Sequence, residues 1–150
     1  MTAGGLAMTV ERNRMNIKEA VRDYFAKQKD ALCVYLFGSV AAGKENKFSD
    51  VDIAVLFDDR ASHEEYSRRA LLMMDELSGL LDKNVDIVVL NDAASFLKFQ
   101  IIKSGVRIYE RPDRHSRHFE SAAIIEYFDF FPIRNRLEAA MIRRISREPK

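Results

Sequence analysis

Apolar residues come in two kinds of block along this chain: short continuous runs, and longer stretches in which they recur every three or four positions. The short runs are Leu32 to Phe37, Val51 to Phe57, Val85 to Leu90 and Val106 to Tyr109. They are rich in β-branched and aromatic residues and end at Gly38, at Asp58-Asp59 and at Asn91-Asp92, which predicts strands. Ile17, Ala20, Val21, Tyr24 and Phe25 recur at helical spacing behind Asn16, an N-cap with Glu19 three residues on. Tyr66, Ala70, Met73, Met74, Leu77 and Leu81 form a second helical stripe behind the capping box of Ser62 and Glu65. A third helix is expected from the Asn91-Asp92 cap to about Ser104, with Gly105 at its C′ position. Val40 to Lys47 reads as a short helical turn and a loop, because Gly43 and Asn46 interrupt it. After the turn at Arg111-Pro112-Asp113, a last helical region is expected as two pieces, 114–130 and 133–147, because Pro132 removes a helix donor.

The resulting order, α-β-β-α-β-α-β followed by helices, predicts an α+β (mixed α/β) domain. The link between the first two strands is too short for a helical crossover, so these strands are expected to be antiparallel. That argues against a dinucleotide-binding doubly wound sheet. The 150 residues, 47% apolar and 31% charged, are enough for an ordinary globular core. A net charge of +1 gives no nucleic-acid footprint, and direct nucleic-acid binding is not expected. No apolar run is long enough to cross a bilayer, so no membrane role is expected. The single cysteine, Cys33, lies inside an apolar run; a buried thiol in a reducing cytoplasm is the expectation. Residues 1–15, with Gly4-Gly5 and mixed charges, read as a flexible leader in which Met8 and Met15 are alternative starts. His63, His115 and His118 read as solvated. The aromatics Tyr127, Phe128, Phe130 and Phe131 read as core beneath the last helix, with an interface as the alternative.

The chemistry concentrates in residues 36–57. Gly38-Ser39 closes one strand, and Asp50-Val51-Asp52 opens the next. Alternation along a strand puts Asp50 and Asp52 on one face, with Val51, Ile53, Val55 and Phe57 on the other. Paired like charges are costly unless a cation neutralises them. Asp86 sits in the apolar run Val85 to Leu90, where a lone carboxylate either meets a partner or shifts its pKa. If the third strand lies beside the second, three carboxylates converge. A simpler reading, with Asp50 capping a strand and Asp86 pairing with an arginine, explains each residue singly but not the set. The small-residue turn permits close approach of phosphate; no Gly-Lys-Ser/Thr follows, so it is not a Walker loop.

Gly38-Ser39, ten residues and Asp50-Val51-Asp52, with Asp86 on a later strand, resembles the signature of the polymerase-beta-like nucleotidyltransferase superfamily. The small size resembles its minimal members, and Tyr127-Phe-Asp-Phe-Phe-Pro132 resembles the end of their MntA-type antitoxin branch. The resemblance implies a small mixed sheet flanked by helices. The nucleotidyltransferase domain would span 16–132, with a C-terminal helical tail over 133–150. It further implies two Mg²⁺ ions on Asp50, Asp52 and Asp86, with the same three residues catalytic. ATP would be bound by Gly38, Ser39, Lys44, Lys47 and Ser49. Val40, Ala41 and Ala42 stand where relatives carry basic residues, which leaves Lys44 and Lys47 to supply positive charge. The implied activity is transfer of AMP from ATP to a tyrosine of a cognate HEPN-type ribonuclease toxin, which silences it. Two alternatives remain open: an antitoxin acting by binding alone, and nucleotidyl transfer to a small molecule such as an aminoglycoside.

Overall fold

The computed structural model describes residues 17–44, 49–58, 60–113 and 116–147. The leader 1–15, the cap at Asn16, and Asn46, Lys47, Arg114 and His115 lie outside these residues. Helical residues 17–26 form α1. They are followed by β1 (Ala31–Phe37), α2 (Gly38–Ala41), β2 (Val51–Phe57), α3 (His63–Leu81), β3 (Val85–Val89), α4 (Ser95–Ser104), β4 (Val106–Glu110) and α5 (Arg117–Arg147). The strands form one mixed sheet in the order β3-β2-β1-β4. β1 pairs antiparallel with β2 and with β4, as the short β1–β2 link demands. β2 and β3 are parallel, since the nineteen residues of α3 carry the chain back to the same end.

Alternation assigns each strand residue to one of two cores. Val34, Leu36, Val51, Ile53 and Val55 face Val21 and Phe25 of α1 and Tyr66, Met73 and Leu77 of α3. Cys33, Tyr35, Ala54 and Leu56 face the other way, against Ile101 and Leu97 of α4 and Phe119 of α5. Asp52 and Asp86 belong by alternation to this second face, at the end of the sheet where β2 and β3 begin.

The start of α3 is capped as expected: Ser62 Oγ accepts the Glu65 N–H at 3.1 Å. The start of α4 is not. The helix begins at Ser95 behind Ala94, without a side-chain cap. Asn91 instead bridges the end of β2, accepting from the Phe57 N–H at 2.8 Å and donating to its carbonyl at 2.9 Å. Asp92 pairs with the exposed His63. Gly105, which ends α4, is extended, at φ −78° and ψ 165°. Glycine is needed there for space, because a Cβ would meet the Ile101 carbonyl oxygen at 2.5 Å and that of Leu36 at 3.1 Å.

The two helical pieces expected around Pro132 are one helix, α5, with the proline inside it. Residues 128 and 132 are both exposed, so water can satisfy the carbonyl that the missing N–H leaves free. The expectation that the neighbouring aromatics are core also fails: Phe128, Phe130 and Phe131 are exposed. Phe119 packs on the sheet, and further along α5 the aromatics Tyr127 and Phe128 meet Phe96 and Phe99 of α4 instead. Tyr127 stacks on Phe99 with ring centres 4.1 Å apart. No helix among the described residues is long and apolar enough to cross a membrane.

Candidate active site

The site is built where β1 ends and β2 and β3 begin. Phe37, the last residue of β1, stands opposite Asp52 in the antiparallel ladder, so the Gly38-Ser39 turn is delivered directly to that carboxylate. Gly38 has φ +72°, the left-handed region that favours glycine. A Cβ there would lie 2.2 Å from Asp52 Oδ2 and 3.2 Å from its carboxyl carbon. Glycine is thus required twice, by its backbone conformation and by the carboxylate against it.

α2 turns away immediately after Gly38. The Ala42 N–H donates to the Gly38 carbonyl at 3.1 Å, and the Lys44 N–H to that of Ser39 at 2.9 Å. Val40 is buried and Ala41 packs beside it against the α1/α3 core. Packing therefore accounts for Val40 and Ala41 directly after Gly-Ser, whereas Ala42 is exposed. Lys44 is exposed beyond the turn, and Ser49 is half-buried just ahead of Asp50.

Parallel pairing places Asp52 level with Asp86 on the neighbouring strand. Asp86 is exposed and Asp52 half-buried. Burial raises the Asp52 carboxyl above the ordinary aspartate range, and the charges of Asp86 and then Asp50 raise it further. The field of each neighbour thus reaches Asp52, as expected of three carboxylates gathered at one end of a sheet. Although its strand is apolar, Asp86 is open to solvent, because β3 is an edge strand.

Asp50, Asp52 and Asp86 offer carboxylate oxygens, which suit a hard cation such as Mg²⁺. Among the described residues, no three His, Cys, Asp or Glu side chains stand close enough together to hold a metal ion as they are. Mg²⁺ usually keeps several waters and takes substrate phosphate oxygens beside one or two protein carboxylates.

Sequence reasoning missed a polar network beneath the start of α5. Tyr35, almost fully buried, donates its hydroxyl to Glu120 Oε1 at 2.5 Å. Arg107 donates to the same oxygen at 3.0 Å and to Ser116 Oγ at 2.8 Å, and Ser116 donates to Glu110 at 2.6 Å. The network ties α5 to β1 and β4. No periodicity signals it, since Tyr35 is simply one aromatic in an apolar run.

A small mixed sheet with a Gly-Ser turn set against paired strand carboxylates defines a nucleotidyl-transfer type of site. The chain belongs to the polymerase beta nucleotidyltransferase family, whose model matches residues 19–114. It is 33% identical over 97 residues to the protein adenylyltransferase MntA of Shewanella oneidensis, a match spanning 65% of each chain. The fold is similar to a chain of a crystal structure described as a toxin-antitoxin with AMP-PNP. That likeness has a TM-score of 0.71 at 24% identity, over 85% of this chain and 98% of the other. It is also similar to a chain of a tri-AMPylated Shewanella oneidensis HEPN toxin in complex with an MNT antitoxin, with a TM-score of 0.66 at 22% identity. That match covers 87% of this chain and 98% of the other. At these identities the likeness is one of fold.

Proposed function

We propose that this chain is a Mg²⁺-dependent protein adenylyltransferase that transfers AMP from ATP to a tyrosine of a HEPN-type toxin and so neutralises it in the cytoplasm. The observation that carries the reading is the contact of Asp52 with Gly38 on one side and its register with Asp86 on the other. The family and the similarity to an adenylyltransferase support the reaction class, and the AMPylated HEPN toxin beside a similar fold supports the acceptor.

Asp50, Asp52 and Asp86 would hold the metal. When bound, Mg²⁺ supplies charge neutralisation and alignment of the triphosphate. Gly38, lacking a side chain, lets phosphate approach the turn, and Ser39 offers its hydroxyl there. Lys44 stands exposed beyond the turn; Lys47 and Ser49 are the other proposed nucleotide contacts. Asp86, solvent-facing, is the group an incoming phenol can reach. A free phenol ionises near pH ~10, so a base is needed at neutral pH. Asp86 takes the phenolic proton as the oxygen bonds to the α-phosphorus. The bond from that phosphorus to the β-phosphate bridging oxygen breaks, and pyrophosphate leaves.

A second reading, neutralisation by binding alone, is favoured by the exposed aromatics of α5. Cells carrying the toxin separate the two. Replacing Asp50, Asp52 and Asp86 together by Asn abolishes rescue if transfer is needed. Full rescue by that variant would establish binding as sufficient.

A further inference from the structure

The second half of α5 extends past the core that holds the first half. Every residue from Asn135 to Ser146 is exposed. Leu137, Met141 and Ile145 are 57%, 64% and 71% exposed, and spacing of four residues places them on one stripe. Phe130 and Ile133 continue the stripe to the root of the extension. There Phe96, Tyr127, Phe130, Phe131 and Arg134 line an apolar hollow of about 610 Å³. A helical extension of this length is marginal in water without a partner. An apolar stripe running into an aromatic hollow has the anatomy of a helix contact with an anchoring pocket.

Charge narrows the occupant. Residues 133–146 contain Arg134, Arg136, Arg143 and Arg144 against Glu138 alone. A second copy of α5 would bring arginines against arginines, whereas an acidic helix would complement them. Insertion among lipid chains is opposed by the ion pair of Arg134 and Glu138, 3.1 Å apart and within the apolar arc. Arg134 also lies over the Phe96 ring, 5.0 Å from its centre, at the lip of the hollow.

We infer that this surface docks the acceptor protein, through a helix that seats an apolar side chain in the hollow and lays an acidic flank along the arginines. This partner presupposes the protein acceptor proposed above. The surface would hold the substrate through α5 and leave the carboxylate edge to the reaction.

The test uses the full chain and its co-expressed, purified HEPN-type toxin, with binding measured without nucleotide. Leu137→Glu with Met141→Glu is expected to weaken binding at least about tenfold. Arg136→Glu with Arg143→Glu is expected to weaken it and to flatten its salt dependence. Both variants are expected to unfold at the wild-type temperature and to bind Mg-ATP as wild type does, since the four residues are exposed. Wild-type toxin affinity in both variants overturns the inference. So does loss of self-association, or of binding to phosphatidylserine vesicles, with toxin binding unchanged. A toxin that binds through α5 yet accepts no nucleotide would sink the transferase reading and leave the docking surface standing.

Discussion

Gly38 and Asp52 are packed so closely that no side chain fits between them: a Cβ on residue 38 would lie 2.2 Å from Asp52 Oδ2. The turn and the carboxylate therefore form one unit. Gly38→Ala must either displace Asp52 or abandon the left-handed backbone, which alone costs about 1–2 kcal/mol. Transfer is expected to fall by more than about tenfold, a barrier increase above about 1.4 kcal/mol. Thermal unfolding and label transfer measured on the same sample check this. Wild-type transfer by Gly38→Ala would show that the contact has no role in the reaction.

Asp52 is held half-buried beside two like charges, which raises its carboxyl above the usual range. Asp52→Asn removes that repulsion, so the metal-free variant is expected to be at least as stable as wild type while losing transfer. Mg²⁺ at ten times its dissociation constant should stabilise the wild type by about 1.4 kcal/mol. It should stabilise Asp52→Asn by less. Calorimetry with and without Mg²⁺ reads both effects, and an equal Mg²⁺ response in the two proteins would remove Asp52 from the metal site.

The fold should weaken in alkali from the second core. Burial pushes the Cys33 thiol up to about 12 and raises the Tyr35 phenol as well. In the unfolded chain these groups ionise near pH ~8.5 and ~10. Between those values and the folded ones, the unfolded state releases protons that the native state keeps. Their contribution is therefore full below pH ~8.5 and is lost as pH rises toward about 12. Cys33→Ala is expected to flatten this alkaline slope in urea unfolding, whatever its effect at pH 7. An unchanged slope would mean that the thiol does not drive it.

Pro132 sits inside a continuous helix at the cost of one backbone hydrogen bond. Pro132→Ala is expected to slow amide exchange over residues 133–146, toward the about 3 kcal/mol by which an interior proline disfavours helix. Transfer chemistry should be unchanged. Equal exchange in both proteins would place the weak point of α5 elsewhere.

The strands were legible because their chemistry is local. The runs beginning at Leu32, Val51, Val85 and Val106 became β1 to β4 with ends shifted by no more than one residue. The Ser62 cap and the Met73 stripe were equally plain, and Cys33 is buried as its neighbours implied. The convergence of Asp52 and Asp86 follows from β2 and β3 being neighbours. What failed depended on distant parts of the chain. Asn91 has the chemistry of a helix cap, but the end of β2 uses both of its amide atoms. Pro132 has the chemistry of a break, but an exposed helix tolerates it. The aromatics from Tyr127 to Phe131 have core composition, yet α5 leaves the sheet before reaching them. The closeness of Gly38 to Asp52 depends on the register of β1 against β2, which no spacing along the chain gives.

The proposed role of Asp52, set between Gly38 and Asp86, is to support transfer of a nucleoside monophosphate to a protein. Its most direct test is incubation of the toxin with Mg²⁺ and ATP radiolabelled at the α-phosphate. The wild-type chain should put the label on the toxin with release of pyrophosphate, and Asp52→Asn should leave the toxin unlabelled while still binding it. Labelling by Asp52→Asn at the wild-type rate would contradict the account.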